Sequence, residues 1–155
     1  MSIGVDNRKK NLKKAIFASA SAAAIMFSLA GLYTGVIAKE FIAKNVDSTM
    51  LRQPANLVLV FGGYALLALL MTALYDRYVY GPKSSAWAGL RFGMMAGVCW
   101  LMPYSLVLFG VYKFPYVVLP LDFGWALIEQ GIGGLVIGLI YGKSSGSRQG
   151  FSSPQ

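Results

Sequence analysis

The stretch WALIEQGIGGLVIGLIYG, residues Trp125–Gly142, is apolar and long enough to cross most of a lipid bilayer as a helix. The hydrocarbon core of a bilayer requires roughly 20 helical residues, and we place the start of this run at Leu121. Its apolar character is continuous rather than alternating, which is typical of a helix and not of a barrel strand. The stretch therefore predicts a membrane-spanning helix at about 121–142.

Three further apolar runs have a similar length and character. We place them at about 15–38, 56–75 and 87–112. Proline lacks the backbone N–H and its ring clashes with the preceding turn, so we expect the third helix to be kinked at Pro103. For the same reason we expect Pro115 and Pro120 to exclude a regular helix from the loop that follows. The sequence predicts an all-α integral membrane protein with four transmembrane helices in an antiparallel bundle.

Composition supports this class and excludes others. Of the 155 residues, 56% are hydrophobic and only 13% are charged, whereas about 25% are charged in soluble domains. The net charge of +8 comes from basic residues that flank apolar runs, so we predict no nucleic-acid binding, which needs a solvated basic surface. The absence of histidine excludes imidazole catalysis and histidine metal ligands. We predict no enzymatic activity, no cofactor and no metal site.

Lysine and arginine are distributed unevenly between the two ends of the predicted helices. Nine lie on the side of the N-terminal segment, the second loop and the tail, and four lie on the opposite side. Because positively charged loops are retained in the cytoplasm, we predict that both termini are cytoplasmic. The chain then divides into a basic N-terminal segment (1–14), a transmembrane domain (15–142) and a flexible, Gly/Ser-rich cytoplasmic tail (143–155).

Two glycine series repeat every four residues, one in each of the last two helices. They consist of Gly89, Gly93 and Gly97, and of Gly134, Gly138 and Gly142. Small residues allow helix backbones to approach closely in a membrane. We expect these ridges to pack against each other within the chain or, alternatively, against another copy or a partner subunit. The stretch ASASAAA, residues 18–24, gives the first helix a small-residue face as well.

Glu129 is the costliest residue of the sequence because it lies roughly 12 Å along the fourth helix from Leu121. An acidic side chain near the middle of a bilayer costs about 2.5–3.5 kcal/mol on insertion scales, so we expect it to face inward. Asp122 and Trp125 lie on the same helix face as Glu129. This face predicts a polar stripe that lines a shallow cavity at the outer side.

The sequence leaves the partner of Glu129 open. Arg91 is about 12 Å away in depth, so it either reaches Glu129 or extends to the lipid headgroups. Hydrogen-bonding alternatives are the side chains of Tyr64, Thr72, Tyr104 and Ser105, and the carbonyl of Cys99, which Pro103 frees. The Cys99 side chain is expected to be buried.

We therefore predict one intramembrane polar site. Its residues are Glu129, Arg91, Asp122, Gln130, Trp100, Tyr104 and Trp125. Such a cluster either fixes the register of the helices as a satisfied polar plug or binds a proton, a lipid or a small molecule.

These features predict a small non-enzymatic membrane protein that acts as an accessory or scaffold subunit and packs against other membrane helices. The alternative is an oligomeric transporter or channel that moves a proton or a small solute past Glu129. The expected partners are membrane lipids and either other membrane-protein subunits or further copies of the chain. From the size of the chain we expect a prokaryotic cytoplasmic (inner) membrane.

Overall fold

The computed structural model describes residues 3–52, 54–79 and 85–142, with side chains described from Lys10 onward. Every regular element in these residues is a helix or a helical turn. The expected all-α class is therefore confirmed. The tail predicted to be flexible, residues 143–155, lies outside the described residues.

The described residues form six α-helices and five short helical turns. The helices are α1 (Ile3–Leu32), α2 (Lys39–Asn45), α3 (Leu57–Leu74), α4 (Ala86–Ala96), α5 (Met102–Val111) and α6 (Leu119–Gly142). Five-residue π-helical turns occupy Tyr33–Ile37, Tyr75–Val79 and Gly97–Leu101. Short 3₁₀ turns occupy Ser48–Met50 and Tyr116–Val118.

Four continuous helical stretches are long and apolar enough to cross a membrane. They are Lys10–Ile37, Leu57–Val79, Ala86–Val111 and Tyr116–Gly142. Each includes a helix and, in all four cases, an adjoining π or 3₁₀ turn. The prediction of four apolar helices is confirmed, and these helices indicate an integral membrane protein.

The expectation for Pro120 was wrong. The residue lies in the first turn of α6, which begins at Leu119. The first backbone N–H groups of a helix have no intrahelical partner, so a proline in this turn removes no hydrogen bond. Pro115, in contrast, precedes the 3₁₀ turn and lies outside any α-helix.

Polar side chains cap the starts of α3 and α4. Asn56 Oδ1 accepts the backbone N–H of Leu59 at 3.0 Å, and Ser85 Oγ accepts that of Ala88 at 3.2 Å. These bonds satisfy donors that the first turn leaves free. They fix where the second and third apolar helices begin.

The third apolar helix is interrupted by a π turn rather than running as one α-helix. Helix α4 ends at Ala96, the π turn spans Gly97–Leu101, and Pro103 lies in the first turn of α5. The N–H of Met102 bonds to the carbonyl of Gly97, which is the wider hydrogen-bond spacing of a π-helix. The change in helical geometry therefore precedes Pro103.

Helix α6 is the centre of the bundle. It packs along α4 on one side and α1 on another, and α3 packs mainly on α1. Helix α5 rests on α6, and no close packing joins it to α3 in the described residues. A gap therefore remains between α3 and α5.

The end of the bundle that holds the start of α4 and the end of α6 is tightly packed, and we call it the base. Its buried core combines alanine and methionine side chains of α1 with residues of α3, the π turn after it and α6: Ala18, Ala22, Ala23, Met26, Ala68, Met71, Tyr75, Ile137 and Tyr141. The ring of Tyr75 meets Phe92 and Tyr141 edge-on, with centroids 5.5 and 5.6 Å away. The small-residue face of α1 is what lets these rings fit against it.

The two glycine series face each other where α4 crosses α6. A Cβ added at Gly134 would lie 2.7 Å from the Cα of Gly93, and one added at Gly89 would lie 2.8 Å from the Cα of Gly138. Only a hydrogen fits in that space, so the two backbones touch directly. At the end of the ridge nearest α5, Gly97 faces Ala126 and the side chain of Gln130. Gly142 is partly buried at the end of α6.

Candidate functional site

Glu129 lies near the midpoint of α6 and is only 4% exposed. Its carboxylate accepts hydrogen bonds from Trp125 Nε1 at 3.0 Å and from Gln130 Nε2 at 3.2 Å. The hydroxyl of Tyr64, on α3, donates a third. Three neutral donors thus hold the carboxylate, and the expected inward orientation is what the structure has.

The helices position each of these donors. Trp125 precedes Glu129 by one turn, so its indole reaches the carboxylate along the same helix face. The ring of Tyr33, from the π turn after α1, stacks on that indole with centroids 4.5 Å apart. Gln130 is held at the contact of α6 with Gly93 and Gly97 and is 1% exposed. Close packing at the glycine ridge therefore sets the geometry of the carboxylate.

A cavity of about 590 Å³ opens between α3 and α5, and we call it the lateral cleft. Glu129 and Gln130 line it from α6. Its other lining residues come from α3 and from the π turn and start of α5: Val60, Gly63, Tyr64, Leu66, Leu67, Leu70, Cys99, Trp100, Leu101 and Tyr104. Leu66 and Trp100 are both largely exposed, so the cleft opens sideways, where a membrane helix faces lipid.

A second cavity, of about 230 Å³, adjoins the cleft toward the end where α6 begins, and we call it the outer cavity. Asp122, Trp125 and Glu129 line it along α6, as the polar stripe predicted. Ser105 on α5 also lines it and donates a hydrogen bond to Asp122 Oδ2 at 2.7 Å. Glu129, Tyr64 and Leu101 line both cavities, so Glu129 stands at their junction.

The two cavities have acidic lining residues and no basic one in the described part of the chain. Asp122 and Glu129 are the acidic residues among their described lining residues, and no lysine or arginine is among them. A membrane-embedded carboxylate with neutral neighbours favours a proton or another cation, because the low dielectric strengthens its attraction for positive charge.

Arg91 is separate from this site. Its guanidinium lies over the ring of Trp87, 5.2 Å from the centroid, in a different cavity near the base. The alternative in which Arg91 reaches Glu129 was wrong, and its extension to the lipid headgroups stays a prediction. The predicted polar cluster therefore divides: Glu129, Gln130, Asp122, Trp125, Trp100 and Tyr104 line the two joined cavities, and Arg91 lines another.

Several smaller expectations about this cluster are corrected. Ser105 bonds to Asp122 and not to Glu129. Thr72 Oγ1 is buried without a hydrogen-bond partner. Cys99 is exposed and lines the lateral cleft, because the gap beside α3 leaves its side of the π turn uncovered. One turn beyond Glu129, a Cβ added at Gly133 would meet Met26 of α1.

Tyr33 is a member of the site that the sequence analysis missed. No periodic pattern links it to Trp125, which lies in a different helix. The available signal was its position, near the end of the first apolar run and so at a depth similar to that of Trp125 and Asp122. Depth alone does not select one aromatic residue among many.

The described residues contain no group of three or more histidine, cysteine, aspartate or glutamate side chains arranged to hold a metal ion. No protein-family model matches the chain, and neither a curated protein nor a solved structure matches it.

Proposed function

We propose that the protein is a non-enzymatic accessory or scaffold subunit that packs against other helices within a membrane. The observation that supports this is the poor burial of the third apolar helix. Within the most apolar part of this helix only 6% is buried by the rest of the chain, against 44% for the corresponding part of the fourth apolar helix. Helix α4 is held by the glycine ridge, but most of α5 faces outward.

The outward face of α5 and the preceding π turn has the character of a contact surface. Trp100 is 63% exposed and Tyr104 is also exposed, although Trp and Tyr favour the membrane interface over its middle because of their polar groups. Val107 and Val111 continue the surface toward the end of α5. A neighbouring helix would cover these side chains, and their aromatic rings provide large contact area.

The proposal includes a topology. The charge distribution favours cytoplasmic termini, and in the proposed topology the base faces the cytoplasm and the outer cavity faces the opposite side. The third helix bends at the π turn and Pro103, where backbone hydrogen bonding is irregular. The proposed location is a prokaryotic cytoplasmic membrane, with lipids and either other subunits or further copies of the chain as neighbours.

Photo-crosslinking from single cysteines tests the subunit proposal. In a Cys99→Ser background, a cysteine-linked photoreactive group at Val107 should capture another polypeptide in native membranes. Val58, 84% exposed on α3, is the matched control position, against 61% for Val107. Capture of lipid alone from both positions would contradict the proposal, and capture of the chain itself would indicate a homo-oligomer.

A second candidate function is transport of a proton or small cation past Glu129. The observation that favours it is the position of Glu129 at the junction of the lateral cleft and the outer cavity. A carboxylate that lines two cavities can bind a cation from one cavity and release it into the other.

Proteoliposomes test this candidate. An imposed proton gradient should dissipate faster with the wild-type protein than with Glu129→Gln, which keeps the size of the side chain and one acceptor oxygen but cannot take up or release a proton. Arg91→Gln is the control, since Arg91 lies in a separate cavity. Equal rates for wild type, Glu129→Gln and empty liposomes would remove this candidate.

A further inference from the structure

The lateral cleft is apolar along its walls and polar at its inner end. Its walls carry leucine side chains from α3 and, opposite them, the rings of Trp100 and Tyr104. Its inner end carries Glu129 and Gln130, which are 4% and 1% exposed. A molecule that fits this cleft is therefore apolar along most of its surface and polar at one end.

The polar end of the cleft presents acceptors rather than donors. The Glu129 carboxylate is an acceptor that three neutral groups already hold in place. Gln130 uses its amide nitrogen as a donor to Glu129, and its Oε1 is buried and accepts no hydrogen bond. A buried acceptor without a partner costs free energy, which a ligand with an N–H group would recover.

The charge and the rings of the cleft favour a cationic donor. No basic side chain is among the described residues that line it. Tyr64, Trp100 and Tyr104 contribute aromatic rings within the same cavity, and such rings attract cations through their negative faces. Lysine and arginine are absent from this lining, so a ligand can supply the positive charge that faces Glu129.

We propose that the lateral cleft binds an amphiphilic ammonium compound. The protonated amine lies at the inner end, where its N–H groups donate to Glu129 and to Gln130 Oε1. The apolar body lies between α3 and the π turn, against Leu66 and Trp100. Because these two residues form an exposed rim, the ligand enters from the hydrocarbon region of the membrane and not from water.

This proposal rests on the second candidate function and deepens it by naming the class of cation. It shares Trp100 and Tyr104 with the contact surface of the subunit proposal, so it requires a neighbouring helix to leave the rim at Leu66 and Trp100 open. Its test measures binding at equilibrium without any gradient. If the protein binds the ammonium compound but transports no cation, the binding proposal stands and the transport function fails. Failure of binding and failure of transport can therefore be distinguished.

The probe is 1-adamantanamine, a compact apolar cage with one ammonium group, and the matched control ligand is 1-adamantanol. Calorimetric titration into protein in zwitterionic lipid nanodiscs, corrected with empty nanodiscs, gives both affinities. A charge-assisted hydrogen bond is worth enough that the amine should bind at least about tenfold more tightly than the alcohol. Glu129→Gln should remove this preference.

Two glycines provide a matched pair of variants that does not alter the polar groups. Gly63 lines the cleft and Gly62 does not, and a Cβ added at either meets nothing within 4 Å. Both leucine variants should therefore fold, which keeps the test decisive even if Glu129→Gln does not. Gly63→Leu should fill the cleft and abolish amine binding, whereas Gly62→Leu should leave it unchanged.

Two results would overturn the proposal. One is equal affinity of the wild-type protein for the amine and the alcohol. The other is amine binding that survives Gly63→Leu at wild-type affinity, which would place the ligand outside the cleft.

Discussion

Replacing Gly93 by alanine adds a methyl group where α4 and α6 touch. The added Cβ would lie 2.8 Å from the carbonyl carbon of Gln130 and 3.0 Å from the Cα of Gly134. Carbon atoms pack best about 3.5–4.0 Å apart, and the carbonyl oxygen of Gln130 is closer still to the added Cβ, so the helices would have to separate by roughly 1 Å or more. Backbone atoms form the opposing surface, and no side-chain rotation relieves the contact.

The expected cost follows from that separation. A gap of about 0.5–1 Å already forfeits a quarter to a half of the dispersion energy of each contact it opens, and overpacking of a tight core typically costs about 1–3 kcal/mol. We expect Gly93→Ala to lower the free energy of unfolding by an amount in this range. The same change at Gly62, where nothing lies within 4 Å, should stabilise the protein by up to about 1 kcal/mol, because alanine has the higher helix propensity.

Unfolding in mixed micelles with increasing denaturing detergent, followed by circular dichroism, measures both variants against the wild type. Because the two expected changes in the free energy of unfolding have opposite signs, a general effect of alanine on helix stability cannot account for both. The close-packing account would be refuted if Gly93→Ala were as stable as Gly62→Ala.

Three further predictions concern other parts of the chain. Reporters fused after Gln155 and inserted in the loop near Asp47 should lie on opposite sides of the membrane; finding them on one side would refute the topology. The backbone N–H and then the hydroxyl of Thr49 donate to Asp47 and lower its pKa, so its NMR titration should have a midpoint below the ordinary aspartate value. The ionised Asp47 therefore stabilises this turn at pH values above the ordinary aspartate pKa, and that stabilisation should be lost as the pH falls through the lowered pKa. Thr49→Val keeps the backbone N–H but not the hydroxyl, so it should bring the pKa of Asp47 only part of the way back to its ordinary value. Glu129→Ala leaves buried donors without an acceptor and should cost about 1–3 kcal/mol or more, whereas Arg91→Gln should change stability little. Losses in detergent unfolding that were large for both and not additive in the double variant would contradict the separation of the two residues.

The sequence predicted those features that depend on local composition. Apolar run length predicted four helices, because a bilayer imposes a minimum span on any helix that crosses it. The spacing of Gly89 and Gly93, and of Gly134 and Gly138, predicted close approach, although it left open whether the contact lies within one chain. Glu129 was identified by its cost in an apolar environment.

The features that depend on how helices are arranged could not be predicted. Judged by depth in the membrane alone, Arg91 could reach Glu129. Depth does not give the direction in which a side chain points around its helix axis, and Arg91 points to Trp87. Tyr64 was one of several candidate donors until the position of α3 selected it. The gap that exposes Cys99 exists because α3 packs on α1, and no periodicity within α3 specifies that choice.

The π turn at Gly97–Leu101 has a consequence for tolerance to insertion and deletion. A π turn accommodates one residue more than an α-helical turn, so it shifts all later residues by about one position, or roughly 100° around the helix axis. The glycine ridge before it and Ser105 after it both meet α6 only with that offset. Deleting a single residue here would restore an ordinary α-helix and remove that offset together with the extra residue that requires it, so the glycine ridge and Ser105 would both still face α6. The π turn can therefore absorb the loss of one residue, whereas the same loss within α4 would turn part of its glycine series about 100° away from α6.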